Sequence, residues 1–169
     1  MAYLSVTPAL PFSELCALRL DGELTSFLHF LDIPDEPRDR GLRILGKHAE
    51  TLVLSSWSAA WSLGCCPEPA HHIAAFRHTR VHIPDEAHLI VEQRSLRSSD
   101  IGEMSTTPLR TVFDLLKMKN ENPLIIRTVH TLMTRFAVTT DMVTDRLGQN
   151  PTPSHKKLML ARLDLLEKL

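Results

Sequence analysis

Several groups of residues have types and spacings that could carry chemistry. Pro84-Asp85 followed by Glu92-Gln93-Arg94 sets two carboxylates near a cation, the parts that hold a divalent ion and activate water for phosphodiester hydrolysis. Arginine, however, stands where such a site needs a lysine near the attacking water, and it does not readily release a proton. The short separation of Asp85 and Glu92 also leaves little room for a hairpin between them. Cys65, Cys66, His71 and His72 supply thiolate and imidazole, the ligands zinc prefers. Adjacent cysteines rarely aim both sulfurs at one ion and no C-x-x-C pair is present, while His78 and His82 add ligands without adding a pattern. The expectation is no metal and no cofactor.

Arg77, Arg80, Arg94 and Arg97 form another group. Strand alternation puts Arg80 and His82 on one side, so these arginines are candidates for a basic face that meets nucleic acid or an acidic partner. The plainer reading is the polar outer side of a sheet. Finally, "TTPLRTVFDLL" at 106–116 starts a helix: Thr106 or Thr107 as cap, Pro108 in the first turn, and Val112, Leu115 and Leu116 as the apolar stripe. Arg110 and Asp114 are four apart within it. An exposed pair at this spacing contributes only about 0.3–0.5 kcal/mol, so it matters for stability only if it is partly buried.

These residues need elements to position them. "PFSELCALRLDG" reads as a short helix stopped by Gly22, "ELTSFLHFLDI" as an extended segment, and "RDRGLRILGKH" as a helix with Arg38, Arg40, Arg43 and Lys47 outside. "TLVLS" is a buried strand, followed by the helix "SSWSAAWSLG" with Ser56 as a cap. Trp57 and Trp61 sit on one side of that helix, and Gly64 ends it. "HHIAAF", "TRVHI" and "HLIVEQRSL" look like three strands of an antiparallel meander. From 108 onward the pattern is helical, over about 108–119, 123–136, 139–149 and 154–168, with Pro108, Pro123, Thr139 and Ser154 at the starts. The last helix carries Leu158, Ala161, Leu165 and Leu169 on one stripe, widened by Leu160 and Leu163, and reads as a core helix rather than a dimer seam.

Strands first and helices later imply an α+β fold with a central antiparallel sheet, packed helices and a C-terminal helical set. The expected organisation is a short N-terminal lobe at 1–44, a core at 45–122, and a helical segment at 123–169 packed on that core. Nineteen basic residues against twenty acidic give a formal charge of -1, so no overall field pulls the chain onto nucleic acid and any such contact must be local. Nine histidines could alter the local sign on mild acidification. "MAYLSVTPALPF" lacks a basic n-region, and no segment has the long apolar run of a membrane span, so a cytoplasmic protein without a membrane partner is expected. Three cysteines do not make a secreted disulfide framework.

The motif at 106–116 is similar to the T-x-P-x-R-T-x-x-D-L signature of AbiEi-like proteins, antitoxins of abortive-infection, type IV toxin-antitoxin systems. "LVLSSWSAAWSLG" resembles that group's S-x-x-S-A-A-x-x-x-G helix, and "LIIRTVHTLMTRFAVTTDMVTDRL" resembles its paired helices; the likeness covers about residues 45–165. It implies a non-catalytic antitoxin-like or regulatory protein, DNA-binding and active in transcriptional regulation, with a cognate toxin system and DNA as partners. Thr107, Pro108, Arg110, Thr111, Asp114, Trp57 and Trp61 would be structural motif residues, and Arg77, Arg80, Arg94 and Arg97 the contact surface. In the family a winged-helix domain precedes this segment, whereas residues 12–33 offer one helix and an extended stretch, a degenerate remnant at most. The alternatives are a degenerate metal-dependent nuclease of the PD…ExK pattern using Asp85 and Glu92, or a protein-interaction module without a nucleic-acid role. Monomer and homodimer both stay open.

Overall fold

A computed structural model describes residues 36–78, 89–93, 96–119, 122–149 and 153–168, and leaves the side chains of Pro153 and Ser154 undescribed. The elements expected over 1–35, the "TRVHI" strand, and residues Arg80, His82, Asp85 and Arg94 lie outside the described residues. Glu36–Leu169 forms one compact unit. It begins with helix α1 (Pro37–Leu45) and a short 3-10 turn, followed by strand β1 (Leu52–Leu54), helix α2 (Ser56–Ser62) and strands β2 (His72–Phe76) and β3 (Leu89–Glu92). A second 3-10 turn, Ser98–Asp100, leads to helices α3 (Pro108–Leu116), α4 (Leu124–Arg135), α5 (Thr140–Gly148) and α6 (Pro153–Leu166). Among the described residues no helix is long and apolar enough to cross a membrane.

The fold is α+β, and its sheet is mixed. In the order β1-β2-β3, β1 runs antiparallel to β2, with Leu52 opposite Phe76 and Leu54 opposite Ala74. Strand β3 runs parallel to β2, with His72 opposite Leu89 and Ala75 opposite Glu92. The expected antiparallel meander, with "TRVHI" between "HHIAAF" and "HLIVEQRSL", is therefore corrected: β3 pairs directly with β2, and in parallel. The reason is the length of the link at 77–88, long enough to return the chain to the same end of the sheet, as a parallel pair requires. On the far side of β1, Leu54 N–H donates to Met104 O at 3.0 Å, and Leu54 O accepts from Thr106 N–H at 2.8 Å. The chain entering α3 is thus stitched to the sheet.

Two apolar clusters meet at α2. The sheet side gathers Leu45, Leu52, Leu54, Trp61, Ala74 and Leu89. The helical side gathers residues of α3 to α6, including Val112, Leu116, Ile125, Leu132, Val143, Met159 and Leu163, with Ala60 and Leu63 reaching it from α2. Although Trp57 and Trp61 leave the same side of α2, they diverge: Trp61 is buried in the sheet cluster, and Trp57 packs half-buried on the helical one. Through Leu45, α1 belongs to this body and not to a separate lobe ending at 44.

Helix ends follow local rules. Gly64, at φ 73°, closes α2: its N–H donates to Trp61 O at 2.8 Å and Cys65 N–H to Ala60 O at 2.9 Å, a Schellman ending that needs a left-handed residue. Ala137, at φ 52°, closes α4 the same way, with Val138 N–H on Met133 O at 3.0 Å. Thr139 caps α5, accepting from Met142 N–H at 3.3 Å.

Helix α6 faces the core differently from the expected stripe. Met159, Leu163 and Leu166 are buried, whereas Ala161, Leu160 and Leu165 are exposed. Leucines lie on nearly every side of this helix, so apolar content alone does not choose a face. Arg162 does: it is buried, and its Nη1 donates to the carbonyls of Leu116 at 2.9 Å and Met118 at 2.7 Å. Those carbonyls terminate α3 and have no partner inside the helix. Bringing Arg162 to them turns α6 so that Leu165 faces outward.

Candidate functional site

The family-like motif at the start of α3 builds a buried ionic junction. Thr107 begins the helix in extended backbone and Pro108 takes the first helical position, where a missing amide donor is harmless. Neither threonine side chain caps the helix as expected. Instead Thr107 N–H donates to Asp100 O at 2.9 Å, and Thr111 Oγ1 donates back to Thr107 O at 3.0 Å while lying 2.8 Å from Thr106 Oγ1. Thr111 is wholly buried, so the hydroxyl pair replaces water inside the turn.

One turn further on, Arg110 Nε donates to Asp114 Oδ2 at 3.0 Å and Arg110 Nη1 to Asp100 Oδ2 at 2.9 Å. From α5, Arg146 Nη2 pairs with the other oxygen of Asp100, and its guanidinium lies 5.6 Å from the Phe113 ring. The side chains are sequestered, with exposures of 13% for Arg110, 1% for Asp114, 0% for Asp100 and 11% for Arg146. Burial by itself pushes the Asp100 carboxyl up, but the Arg97 N–H and the guanidinium groups of Arg146 and Arg110 outweigh it and hold the carboxyl below its ordinary range. Burial likewise opposes the charge on Arg110, and the carboxylates of Asp114 and Asp100 more than restore it. Three segments are tied at this point: the 3-10 turn, α3 and α5.

Among the described residues, the junction's donors are guanidinium groups, which do not deprotonate near neutral pH, and they hold its carboxylates, so the geometry suits fixing helices rather than moving protons.

The expected contact arginines fare differently. Arg77, expected on the contact surface, is half-buried and holds main-chain carbonyls. Its Nε donates to Ala49 O and Leu52 O at 3.0 Å each, its Nη1 to Gly102 O at 3.3 Å, and its Nη2 to Glu103 O. Burial lowers its pKa, with the Glu103 charge opposing. It stands immediately after β2, where carbonyls outside the ladder need donors. Arg97 is exposed, with Nη1 donating to Gln149 Oε1 at 2.9 Å.

The two thiols diverge. Cys65 Sγ lies 3.6 Å from Leu63 O and Cys66 Sγ 3.7 Å from Trp57 O. Burial pushes both pKa values up, that of Cys66 to about 12. His72 Nε2 is 3.3 Å from Glu68 Oε1, and its ring is 5.0 Å from that of Trp61, whose face also carries Arg43 at 5.7 Å. Among the described residues no three histidine, cysteine, aspartate or glutamate side chains gather as a metal would require. Glu92 is half-buried at the end of β3, opposite Ala75.

Two features escaped the sequence reading. Ser56 sits at φ 53° on the sharp turn from β1 into α2, a geometry that in some enzymes presents a nucleophilic serine. Here its hydroxyl is completely buried, out of reach of any substrate. Asp100 and Arg146 were also missed, because their partners lie ten or more positions away and no local spacing announces them. No family model, curated protein or solved structure gives a significant match to the chain.

Proposed function

We propose that this chain is a non-catalytic binding protein of the AbiEi-like type, an antitoxin or regulator that acts in the cytoplasm through preformed surfaces. Its partners would be a cognate toxin system and, at exposed arginines such as Arg97, DNA. One observation carries the reading: the motif residues best equipped for acid–base or phosphate chemistry, Arg110 and Asp114, are locked with Asp100 and Arg146 inside the scaffold. What then remains for a partner is surface. The short signature T-x-P-x-R-T-x-x-D-L supplies the family likeness.

The test is co-expression with a nucleotidyltransferase-like toxin encoded beside this chain. Restored growth, retained after Glu92→Ala, is the expected result. Absence of rescue, together with magnesium-dependent cleavage of plasmid DNA that disappears on Glu92→Ala, would assign the chain to the nuclease reading instead.

A further inference from the structure

Helix α4 buries Ile125, Thr128, Val129 and Leu132 against the helical cluster. Of the remaining positions Ile126 and Met133 are half-buried, Leu124 is an exposed apolar residue at the N-terminal end, and Arg127, His130, Thr131, Thr134 and Arg135 are exposed and polar; it is these five that face outward together. Spaced three and four apart, they form one continuous stripe along the helix. The helix sequence, LIIRTVHTLMTR, contains no carboxylate, so from Arg127 onward the stripe carries arginine, histidine and hydroxyl groups and no acid. Arg135 is steadied at the C-terminal end by Gly64 O at 3.2 Å and by the Phe136 ring at 5.7 Å. Arg127 forms no ion pair among the described residues, and its charge is open to a ligand.

The stripe borders a shallow groove of about 270 Å³ between α4, the turn after it and the end of α6. Met133, Val138 and Leu166 form its apolar floor, His130 and Thr134 one wall, and Glu167 the opposite rim.

We propose that the outer face of α4 and this groove dock an acidic segment of a partner protein, which inserts one apolar side chain over Met133, Val138 and Leu166 while its carboxylates meet Arg127 and His130. The combination selects the class of partner. An apolar floor beside a cationic row suits a peptide that carries both an anchor and acids. A phosphate backbone offers the anions but nothing to fill the floor. This surface is distinct from Arg97 and stands whichever way the antitoxin reading falls.

The test uses the full chain and fluorescence anisotropy with fluorescein-labelled probes: a glutamate-rich peptide with a central leucine, the same peptide with serine for that leucine, a lysine-rich peptide with the leucine, and random-sequence duplex DNA. Saturable binding of the first is expected, weakened about tenfold by the serine exchange and about tenfold by Arg127→Glu, a step equivalent to 1.4 kcal/mol. Circular dichroism of Arg127→Glu should match the parent, since the side chain is exposed. Any of three results would overturn the proposal: no saturable binding of the acidic peptide, binding indifferent to Arg127→Glu, or duplex DNA bound in its place with the same dependence on Arg127.

Discussion

Arg110 Nη1 lies 2.9 Å from the Asp100 carboxylate, a contact that joins the first turn of α3 to the 3-10 turn before it. Because Arg146 of α5 holds the other oxygen of the same carboxylate, Asp100 is shared by two buried cations. Asp100→Ala takes this carboxylate from Arg146 and leaves Arg110 to Asp114. A loss of about 3–5 kcal/mol in urea-unfolding free energy is expected, well above that of an exposed pair. A change below about 1 kcal/mol would mean that water screens the junction.

The same carboxyl gives the stability a pH dependence of fixed sign. Its pKa is held below the ordinary value in the folded chain, so the stabilisation is present above the unfolded value of about 3.9 and is lost as pH falls through the folded value. Urea midpoints measured from neutrality down to acid should therefore fall below about pH 4. That part of the fall should be absent in Asp100→Asn.

Arg162 sets the rotation of α6 through the carbonyls that end α3. Arg162→Met keeps the bulk but abandons those acceptors, and a destabilisation of about 2–3 kcal/mol is expected. Leu165→Ala, at an exposed position on the same helix, should stay within about 0.5 kcal/mol.

Left-handed residues close α2 and α4, one a glycine and the other not. Ala137→Gly relieves the Cβ of a left-handed residue and should raise the melting temperature, a gain of about 0.5–1 kcal/mol after the entropy of glycine is counted. Gly64→Ala should act in reverse, because φ 73° strains any residue with a Cβ; the Arg135 guanidinium, whose Nη1 would lie 2.7 Å from that Cβ, is the tip of a flexible side chain and can shift.

Cys65 and Cys66 are buried or half-buried, and burial holds both in the thiol form. In a Cys16→Ser background, a thiol reagent at neutral pH should label neither until urea unfolds the chain. Rapid labelling of Cys66 in the folded protein would show that its surroundings are wetter than its contacts with Trp57 imply.

Local signals were legible in the sequence, and distant ones were not. The helices from 108 onward were recoverable because Pro108, Pro123 and Thr139 mark their starts and apolar residues recur at helical spacing. Arg110 and Asp114 were visible as a pair for the same reason, whereas the Asp100 and Arg146 that complete the junction depend on tertiary contact. The direct pairing of β3 with β2 was hidden as well: nothing in "HLIVE" names the strand beside it. The clamp made by Arg77 was not legible, because nothing in the sequence displays the carbonyls that it holds. On α6 the abundance of leucine concealed the inward face, which a single arginine determines. The α4 stripe, by contrast, could have been read from spacing and from the lack of any acid.

The divergence of Trp57 and Trp61 gives the molecule two built-in optical reporters, one for each half of its interior. Emission from Trp57→Phe follows the sheet half, and emission from Trp61→Phe follows the helical half. Superimposable melting curves from the two variants would establish that both halves unfold in one concerted event, with α2 as the strut between them.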